Sequence, residues 1–385
     1  MHNFKGFYEF FSGGGMARLG LGNEWRCLFA NELNAKKAAT YMQNFGPAAA
    51  LRIDDIAELT ASDLPESAML AWASFPCQDL SLAGNGKGLR GERSGTFHAF
   101  GDLIGQLNAR GRGVPIIVLE NVVGAITSNQ GNDFSTIIRT LMDGGYRVGP
   151  LVIDAVRFVP QSRPRLFICA INQDVRPPHS LIQSGPGAAW HNNSLSTAFE
   201  SLPDSSREAW IWWRLPEPCR MTMTLTELIE DEPEGVSWHT AEETERLLSM
   251  MSETNREKVR KAQAYGKPIA GTVYKRIRAL GNGSKTQRAE IRFDQISGCL
   301  RTPLGGSSRQ IIVVVEGKSI RSRLLSPREA ARLMGVPEWY ELPKNYNEAY
   351  HLMGDGVVVP VVEWLREHLL SPLAETVRGQ ALKVA

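Results

Sequence analysis

Short apolar runs alternate with amphipathic stretches over the first 172 residues of the chain. The apolar runs have the length of strands and end in turn residues, whereas the stretches between them carry apolar residues three and four positions apart. The pattern predicts strands at 7–11, 26–31, 49–53, 69–74, 114–119, 147–156 and 166–171, and helices at 17–21, 35–45, 97–109 and 134–142. This alternation predicts an α/β fold with a doubly wound, mostly parallel, Rossmann-like sheet.

The alternation stops near residue 172, and we expect a second, smaller domain of irregular structure from there. Pro, Ser, His and Trp follow in no regular order. Thr240 and Glu243 form a capping-box pattern that predicts a helix over 240–251. The segment 310–325 predicts a hairpin that turns at Gly317 and Lys318.

A further predicted helix begins near residue 326, with Ser326 at the N-cap, Pro327 at N1 and Glu329 at N3. Beyond it, the apolar segment 357–370 is expected to return to the sheet of the first domain. We therefore expect three parts, with bounds at 1–172, 173–319 and 320–385.

The composition is that of an ordinary soluble globular protein, since 43% of the 385 residues are hydrophobic and 22% are charged. The five cysteines are odd in number, widely spaced and without a CxxC pair, which indicates neither a disulfide framework nor a zinc site. No segment approaches the length of an apolar membrane span, and the first residues lack a signal pattern. We expect a cytoplasmic protein that binds no metal and no membrane.

The net charge is only +2, but the charges are unevenly distributed along the chain. Residues 227–245 are strongly acidic, whereas residues 274–292 carry six Lys and Arg residues against the single acid Glu290. A basic stretch that contains glycine can follow a phosphate backbone. The alternative interpretation is a solvated loop, and charge alone favours that alternative.

Glycines directly follow the first predicted strand, in the sequence Ser12-Gly13-Gly14-Gly15. Such glycines let a ligand approach the backbone at the N-terminus of a helix, as in nucleotide sites. Glu32 ends the second predicted strand at the spacing expected of a carboxylate that binds a ribose. The combination favours a nucleotide-type cofactor over a purely structural turn.

A cysteine begins the loop after the fourth predicted strand, in the sequence Phe75-Pro76-Cys77-Gln78. Ligands in open α/β sheets collect at the carboxyl ends of strands, so the Cys77 thiol is placed for chemistry. The following residues, 79–96, contain five glycines and are interpreted as a mobile catalytic loop. A cysteine packed in the core is the alternative, and Cys77 alone does not decide between the two.

Two polar residues, Glu120 and Asn121, directly follow the apolar run 114–119. A carboxylate at a buried strand end is costly to ionise without partners, so a raised pKa suited to proton donation is expected of Glu120. Further along, Arg163 and Arg165 stand two residues apart on an extended chain, where their side chains point the same way. A glutamate cap and a solvated arginine pair are the alternative interpretations.

These residues form an ordered series of sequence blocks. The series runs FSGGGMARLGLG, NEL at 31–33, DDI at 54–56, FPCQ at 75–78, ENV at 120–122, QSRPR at 161–165, RLLSPREAARLMGVP and MGDGVVVP. In this order and over nearly the whole length, the chain resembles the bacterial DNA (cytosine-5) methyltransferases. Two positions depart from the family pattern: Met16 stands where a glycine is common, and Asp355-Gly356 stand where Asn-Ser usually precede Val.

The resemblance implies a role for each matching residue. Cys77 would be the nucleophile, Glu120 the acid at the base edge, Arg165 the contact to the base carbonyl and Arg163 the brace of the acid. The implied cofactor, S-adenosylmethionine, would be bound by Phe11, Gly13, Gly15, Glu32, Asp55, Ile56, Pro76 and Asp355. Substrate contacts are expected from Gln78, Ser81, Asn121, Val122, Gln161, Arg276, Arg278, Arg301 and Arg309.

The implied substrate is double-stranded DNA, whose target cytosine must be flipped out of the helix. Residues 1–172 would then catalyse and bind the cofactor, residues 173–319 would recognise the target sequence, and residues 320–385 would return to the catalytic domain. We expect a monomer on DNA, associated with the nucleoid, with a cognate restriction endonuclease as a partner. The alternatives are a tRNA cytosine-5 methyltransferase, a non-catalytic DNA-binding relative and a nicotinamide enzyme on a similar sheet.

Overall fold

The computed structural model describes residues 5–46, 50–76, 95–219, 223–279, 285–301 and 309–384. The strands are β1 Lys5–Phe10, β2 Trp25–Asn31, β3 Leu51–Arg52, β4 Leu70–Ala73, β5 Ile116–Val122, β6 Tyr146–Asp154, β7 Pro164–Asn172, β8 Ile182–Gln183, β9 Trp212–Trp213, β10 Ile269–Ala279, β11 Lys285–Arg292, β12 Ile311–Glu316 and β13 Ser319–Leu324.

The helices of the first half are α1 Met16–Leu21, α2 Ala35–Phe45, α3 Thr96–Ala109, α4 Asn132–Asp143, α5 Asn193–Glu200 and α6 Asp204–Glu208. Those of the second half are α7 Leu225–Leu228, α8 Ala241–Ser249, α9 Glu253–Ala264, α10 Pro327–Leu333, α11 Tyr346–Asp355, α12 Val359–Leu365 and α13 Ser371–Val384. A π-helical turn, Arg366–Leu370, connects α12 to α13.

The chain folds into two compact units. Unit 1 comprises the described residues of Met1–Asp154, Pro164–Pro218 and Val359–Ala385, and unit 2 comprises those of Ala155–Arg163 and Cys219–Val358. The three functional parts expected from the sequence, 1–172, 173–319 and 320–385, do not coincide with these two units. That division of roles stays a prediction.

Unit 1 contains a seven-stranded sheet in the order β3-β2-β1-β4-β5-β7-β6. Its strands are parallel except β7, which runs antiparallel to both of its neighbours, β5 and β6. The order reverses between β1 and β4, where a ligand crevice is expected in a sheet of this type. The predicted fold class, a doubly wound and mostly parallel sheet, is confirmed.

Apolar strands fill the core of unit 1, because strands covered on both faces need apolar side chains throughout. All four residues of β4 are buried, as are the first six of β5. The segment Val359–Leu365 joins this unit, and α12 crosses α1 so closely that a Cβ at Gly20 would lie 2.4 Å from Cβ of Val362. Only glycine fits at position 20 of α1.

Unit 2 contains a four-stranded antiparallel sheet in the order β11-β10-β12-β13. The predicted hairpin at 310–325 is confirmed, with Glu316 paired to Ser319 across the turn. Both predicted capping boxes are also present, at Thr240 and at Ser326. The unit is therefore more regular than its sequence pattern suggested.

The described parts of the basic stretch interpreted as a loop, residues 274–279 and 285–292, lie in β10 and β11, which pair antiparallel. The apolar residues Val273 of β10 and Ala289 and Ile291 of β11 are buried. They lie on one face of the sheet and pack in the core of unit 2. Basic and other polar residues far outnumber these few apolar positions, which explains why the strands were not predicted from the sequence.

Candidate active site

Four strands of unit 1 end together at one edge of its sheet. The register pairs Phe10 of β1 with both Asn31 of β2 and Ala73 of β4, and it pairs Ala73 with Leu119 of β5. The segments after β1, β2 and β4 and the end of β5 therefore meet at the point where the strand order reverses. Most of the residues predicted to act in catalysis or cofactor binding lie in these segments.

The turn after β1 has an unusual backbone, with left-handed φ values at Phe11 (56°), Gly13 (55°) and Gly15 (80°). The two glycines serve different needs. A Cβ at Gly13 would meet no atom within 4 Å, whereas a Cβ at Gly15 would lie 2.3 Å from the Phe45 ring and 2.9 Å from the Tyr41 ring. Gly13 therefore leaves open space for a ligand, and Gly15 allows α2 to pack against the turn.

Glu32 lies directly after β2, and its side chain is turned toward the glycine turn. Its two carboxylate oxygens each accept one backbone hydrogen bond at 2.8 Å, from the amide of Gly13 and from the amide of Asn34. A carboxylate has about four acceptor sites, so each oxygen keeps capacity for one more donor. The fixed carboxylate fits the two hydroxyl groups of a ribose.

The predicted cofactor residues Asp55 and Ile56 lie in the segment after β3. Asn31 holds this segment to β2, because its side-chain amide donates to the Asp54 carbonyl at 2.9 Å. Asp55 is exposed, and its carboxylate caps a short 3₁₀ turn by accepting the Ala57 amide at 3.0 Å. Ile56 is buried beside it. Pro76 is half-buried after β4, whereas Asp355, at the end of α11, belongs to unit 2.

We expect replacement of Glu32 by alanine to weaken S-adenosylmethionine binding by about 10- to 100-fold, because two hydrogen bonds to a charged acceptor would be lost. Isothermal titration measures this change, and thermal unfolding checks the fold. Glu58→Ala, in the exposed turn of the same segment, is the matched control and should bind like the wild type. Unchanged affinity of the Glu32 variant would contradict the ribose assignment.

The predicted acid, Glu120, lies within β5, which extends two residues beyond it to Val122. Its carboxylate pairs with Arg165 of the adjacent β7, with Nε of Arg165 3.2 Å from Oε1 of Glu120. Both side chains are largely buried, at 8% and 16% exposure. Because β7 is antiparallel to β5, its first residues reach the same sheet edge at which β5 ends.

Asn121 connects the Glu120 strand to the segment that leads to the predicted nucleophile. Its side-chain amide donates to the Phe75 carbonyl at 3.3 Å, and its side-chain oxygen accepts the Val122 amide at 2.8 Å. The predicted residues Cys77, Gln78 and Ser81 lie outside the described residues, as does most of the predicted catalytic loop 79–96.

Arg163 and Gln161 belong to unit 2 and are both buried. The Arg163 guanidinium donates to the carbonyls of Leu300 (3.1 Å), Gly354 (2.7 Å) and Gly356 (2.7 Å). The Gln161 side chain donates to the Leu333 carbonyl at 2.7 Å and accepts the Leu300 amide at 3.1 Å. These bonds hold the backbone of unit 2 together, and roles of both residues toward the substrate stay predictions.

The sequence profile of the family described as C-5 cytosine-specific DNA methylase matches residues 6–371. The chain belongs to the C-5 cytosine-specific DNA methylase family. The resemblance seen in the sequence blocks is thereby confirmed, and so is the enzyme class, a DNA (cytosine-5-)-methyltransferase.

The methylase is similar to curated bacterial proteins over almost its whole length. It is 26% identical to the type II methyltransferase M.MspI of Moraxella sp. over 381 residues, covering 97% of this chain and 72% of that protein. It is 28% identical to the type II methyltransferase M.BanI of Aneurinibacillus aneurinilyticus, covering 97% of each. The crystal structure of the Entamoeba histolytica methyltransferase EhMeth shares the fold, with a TM-score of 0.62 at 15% identity, over 96% of this chain and 99% of that one.

The arginines predicted to contact DNA all belong to unit 2 of the methylase. Arg276 of β10 is exposed and lies directly opposite Arg288 of β11, also exposed. Arg276 pairs with Glu290 at 3.5 Å, Arg301 is exposed, and Arg309 contacts Asn347 and the Tyr346 ring. The side chain of Arg278 lies outside the described residues.

Two further findings concern the described residues of the methylase. They contain no group of three or more His, Cys, Asp or Glu side chains that could hold a metal ion. No helix among them is long and apolar enough to cross a bilayer.

Sequence reasoning missed one charged residue next to the predicted cofactor turn. Glu9 is only 1% exposed, between the buried residues Tyr8 and Phe10 near the end of β1, and it contacts both α1 and α2. The signal was available in the sequence, because a carboxylate inside a buried strand needs partners and seldom occurs without them.

Proposed function

We propose that this methylase transfers a methyl group from S-adenosylmethionine to C5 of a flipped-out cytosine in duplex DNA, through a covalent bond between Cys77 and C6 of the base. The observation that carries the proposal is the buried Glu120–Arg165 ion pair at the edge of the sheet where β4 leads to Cys77. An acid and a guanidinium on adjacent strands suit the two polar atoms of a cytosine edge, N3 and the carbonyl oxygen.

The residue types fit the reaction, because C5 of cytosine is a weak nucleophile until the ring is activated. The Cys77 thiolate forms a bond to C6, which makes C5 enamine-like. Glu120 holds a proton at N3, and Arg165 stabilises the negative charge at the carbonyl oxygen as the sulfur adds. C5 would take the methyl group as the methyl–sulfur bond of the cofactor breaks and the thioether S-adenosylhomocysteine leaves. C5 then loses its proton to a base and the bond between C6 and the Cys77 sulfur breaks, which returns Cys77 to its starting state.

S-adenosylmethionine, when bound, supplies an electrophilic methyl group. The residues after β1, β2 and β3 fit it: Glu32 for the ribose hydroxyls, the open backbone at Gly13 for the methionine part, and Phe11, Asp55 and Ile56 for the adenine. Pro76 and Asp355 complete the proposed set.

The remaining assignments follow from the same proposal. Residues 173–319 recognise the target sequence. The flipped base is contacted by residues of the earlier part of the chain, Gln78, Ser81, Asn121, Val122 and Gln161. The enzyme acts as a cytoplasmic, nucleoid-associated monomer. Relatives named type II methyltransferases support a restriction-modification setting.

The test is bisulfite sequencing of DNA from cells that express the chain, which reveals both the activity and the recognition sequence. Covalent trapping of the purified protein on duplexes with 5-fluorocytosine tests the adduct. Incorporation of labelled methyl groups into DNA and into tRNA is compared in parallel. Labelling of tRNA but not of DNA would replace the proposal with a tRNA methyltransferase.

We expect Arg288→Ala to weaken binding to all duplexes and to reduce the salt dependence by roughly one unit in the slope of log K against log [salt]. Arg288 is exposed on the β10–β11 hairpin opposite Arg276, where it is accessible to a DNA phosphate. A contact between arginine and phosphate releases counterions from the DNA, which makes binding depend on salt. A salt titration on cognate and scrambled duplexes measures the slope.

The matched control for Arg288→Ala is Arg260→Ala, an exposed α9 arginine that is already paired with Glu253 and with Glu257. It should leave the slope unchanged. The same titration for alanine variants of Arg276, Arg278, Arg301 and Arg309 sorts phosphate contacts from base contacts, since loss of a base contact costs about 1 to 3 kcal/mol at the preferred site only. Wild-type binding by all of these variants, Arg288→Ala included, would remove the β10–β11 hairpin and the segment 301–309 from the proposed DNA interface.

A further inference from the structure

The buried carboxylate of Glu9 is the centre of a polar network that none of the proposed roles uses. Oε1 of Glu9 accepts the backbone amide of Arg18 at 3.3 Å, and Oε2 accepts the Tyr41 hydroxyl at 3.2 Å. The Tyr41 hydroxyl oxygen in turn accepts a hydrogen bond from Nη1 of Arg18 at 3.1 Å, and it lies 3.5 Å from the Cys27 sulfur. Two elements of unit 1, α1 and α2, thus contact one carboxylate of β1 directly, and Cys27 of β2 joins the network through Tyr41.

The network connects the two segments that carry the proposed cofactor residues. Arg18 lies in the first turn of α1, which begins directly after the turn that contains Gly13. Tyr41 lies in α2, which begins three residues after Glu32 and whose rings at 41 and 45 occupy the space next to Gly15. A shift of the Glu9 carboxylate would therefore displace the Gly13 amide relative to the Glu32 carboxylate that accepts its hydrogen bond.

We propose that Glu9 is a positioning residue of the cofactor site, whose carboxylate fixes the glycine turn and α2 at the separation at which Gly13 and Glu32 bind S-adenosylmethionine. The inference rests on the proposed function and deepens it. Glu9 acts through the Arg18 amide and the Tyr41 hydroxyl rather than by touching the cofactor.

Both hydrogen bonds are donated to Glu9, so its ionised form suits the network better than its protonated form. The pKa of Glu9 is raised to about 7, mainly by burial. The Arg18 amide and guanidinium and the Tyr41 hydroxyl oppose this shift, and Glu32 adds to it. Cys27, the remaining titratable neighbour, has a pKa raised by burial to about 11 and stays neutral at physiological pH. Cofactor affinity should therefore fall as the pH drops through about 7.

The test compares the full-length wild type with Glu9→Gln by isothermal titration with S-adenosylmethionine across pH 5.5 to 8.5. Glutamine keeps the size but cannot ionise. At the alkaline end the variant should bind about tenfold more weakly, corresponding to the loss of one hydrogen bond to a charged acceptor, and it should lack the step near neutrality. Since the α-amino group of the cofactor itself titrates near pH 8, the ratio of variant to wild type at each pH is the quantity compared.

Tyr41→Phe provides a second, independent measurement. It removes one donor to the carboxylate, so the pH step should persist and move to higher pH. Thermal unfolding checks both variants, and if Glu9→Gln does not fold, the direction of the Tyr41→Phe shift decides. Equal affinity of wild type and Glu9→Gln at every pH, or an unshifted step in Tyr41→Phe, would overturn the positioning role alone. Failure of the wild type to bind S-adenosylmethionine at any pH would instead overturn the cofactor assignment of the proposed function.

Discussion

Replacement of Cys77 by serine is expected to abolish methyl transfer, with a loss on the order of 10⁴-fold or more. Serine is close to cysteine in volume, but its hydroxyl is far less ionised near neutral pH, so it cannot form the bond to C6 at a useful rate. Single-turnover transfer of labelled methyl groups to duplex DNA measures the loss. The variant should also fail to form the covalent complex with 5-fluorocytosine duplexes.

The fold and the cofactor affinity of the Cys77 variant should remain those of the wild type, because serine is close to cysteine in volume and most of the proposed cofactor residues follow other strands than β4. The matched control is Cys219→Ser, which alters an exposed free cysteine and should retain wild-type turnover. Wild-type turnover by the Cys77 variant on cytosine-containing duplexes would show that another residue is the nucleophile.

The second large effect is expected from Glu120→Gln, which should slow the chemical step by about 10²- to 10⁴-fold while leaving S-adenosylmethionine affinity unchanged. An amide can hydrogen-bond the base edge but cannot hold a proton at N3. It also leaves the largely buried guanidinium of Arg165 without its carboxylate. Single-turnover rates beside calorimetric affinities separate the two quantities.

Arg165→Lys is the companion variant for Glu120→Gln, since it keeps the charge but loses the planar guanidinium. It should slow transfer less than Glu120→Gln does, with the same cofactor affinity. Glu32→Ala should have the opposite effect. It should weaken cofactor binding, whereas its rate of methyl transfer at saturating cofactor should equal that of the wild type. Equal effects of Glu32→Ala and Glu120→Gln on both quantities would refute the separation of acid and ribose ligand.

Local sequence signals predicted the parts of the fold that depend on neighbours along the chain. The bounds of α2, residues 35–45, follow from Asn34, whose side chain caps the first turn, and from Gly46 after the last. The hairpin turn at Gly317 has a left-handed φ of 55°, which glycine favours. These signals depend on a few adjacent residues and are visible without tertiary structure.

The pairing partners could not be read from the sequence, because they depend on tertiary structure. The strands β10 and β11 have only a few apolar residues that face the core, among many basic ones, and their pattern resembles that of a solvated loop. The antiparallel direction of β7, which brings Arg165 to Glu120, has no signature in β7 itself. The sequence placed Glu32 and Glu120 each at the end of a predicted strand, but it did not predict the Gly13 amide as partner of Glu32, the ion pair of Glu120 with Arg165 or the network around Glu9.

The close crossing of α12 over Gly20 also bears on synthesis of the chain by the ribosome. Unit 1 is completed by residues that follow Val358, whereas its β1 and α1 are made first. A nascent chain that has emerged only as far as unit 2 therefore exposes the apolar face of α1 that Val359 and Val362 later cover. This face of α1 cannot be covered until translation has passed residue 365, so chaperones have an interval in which to bind it.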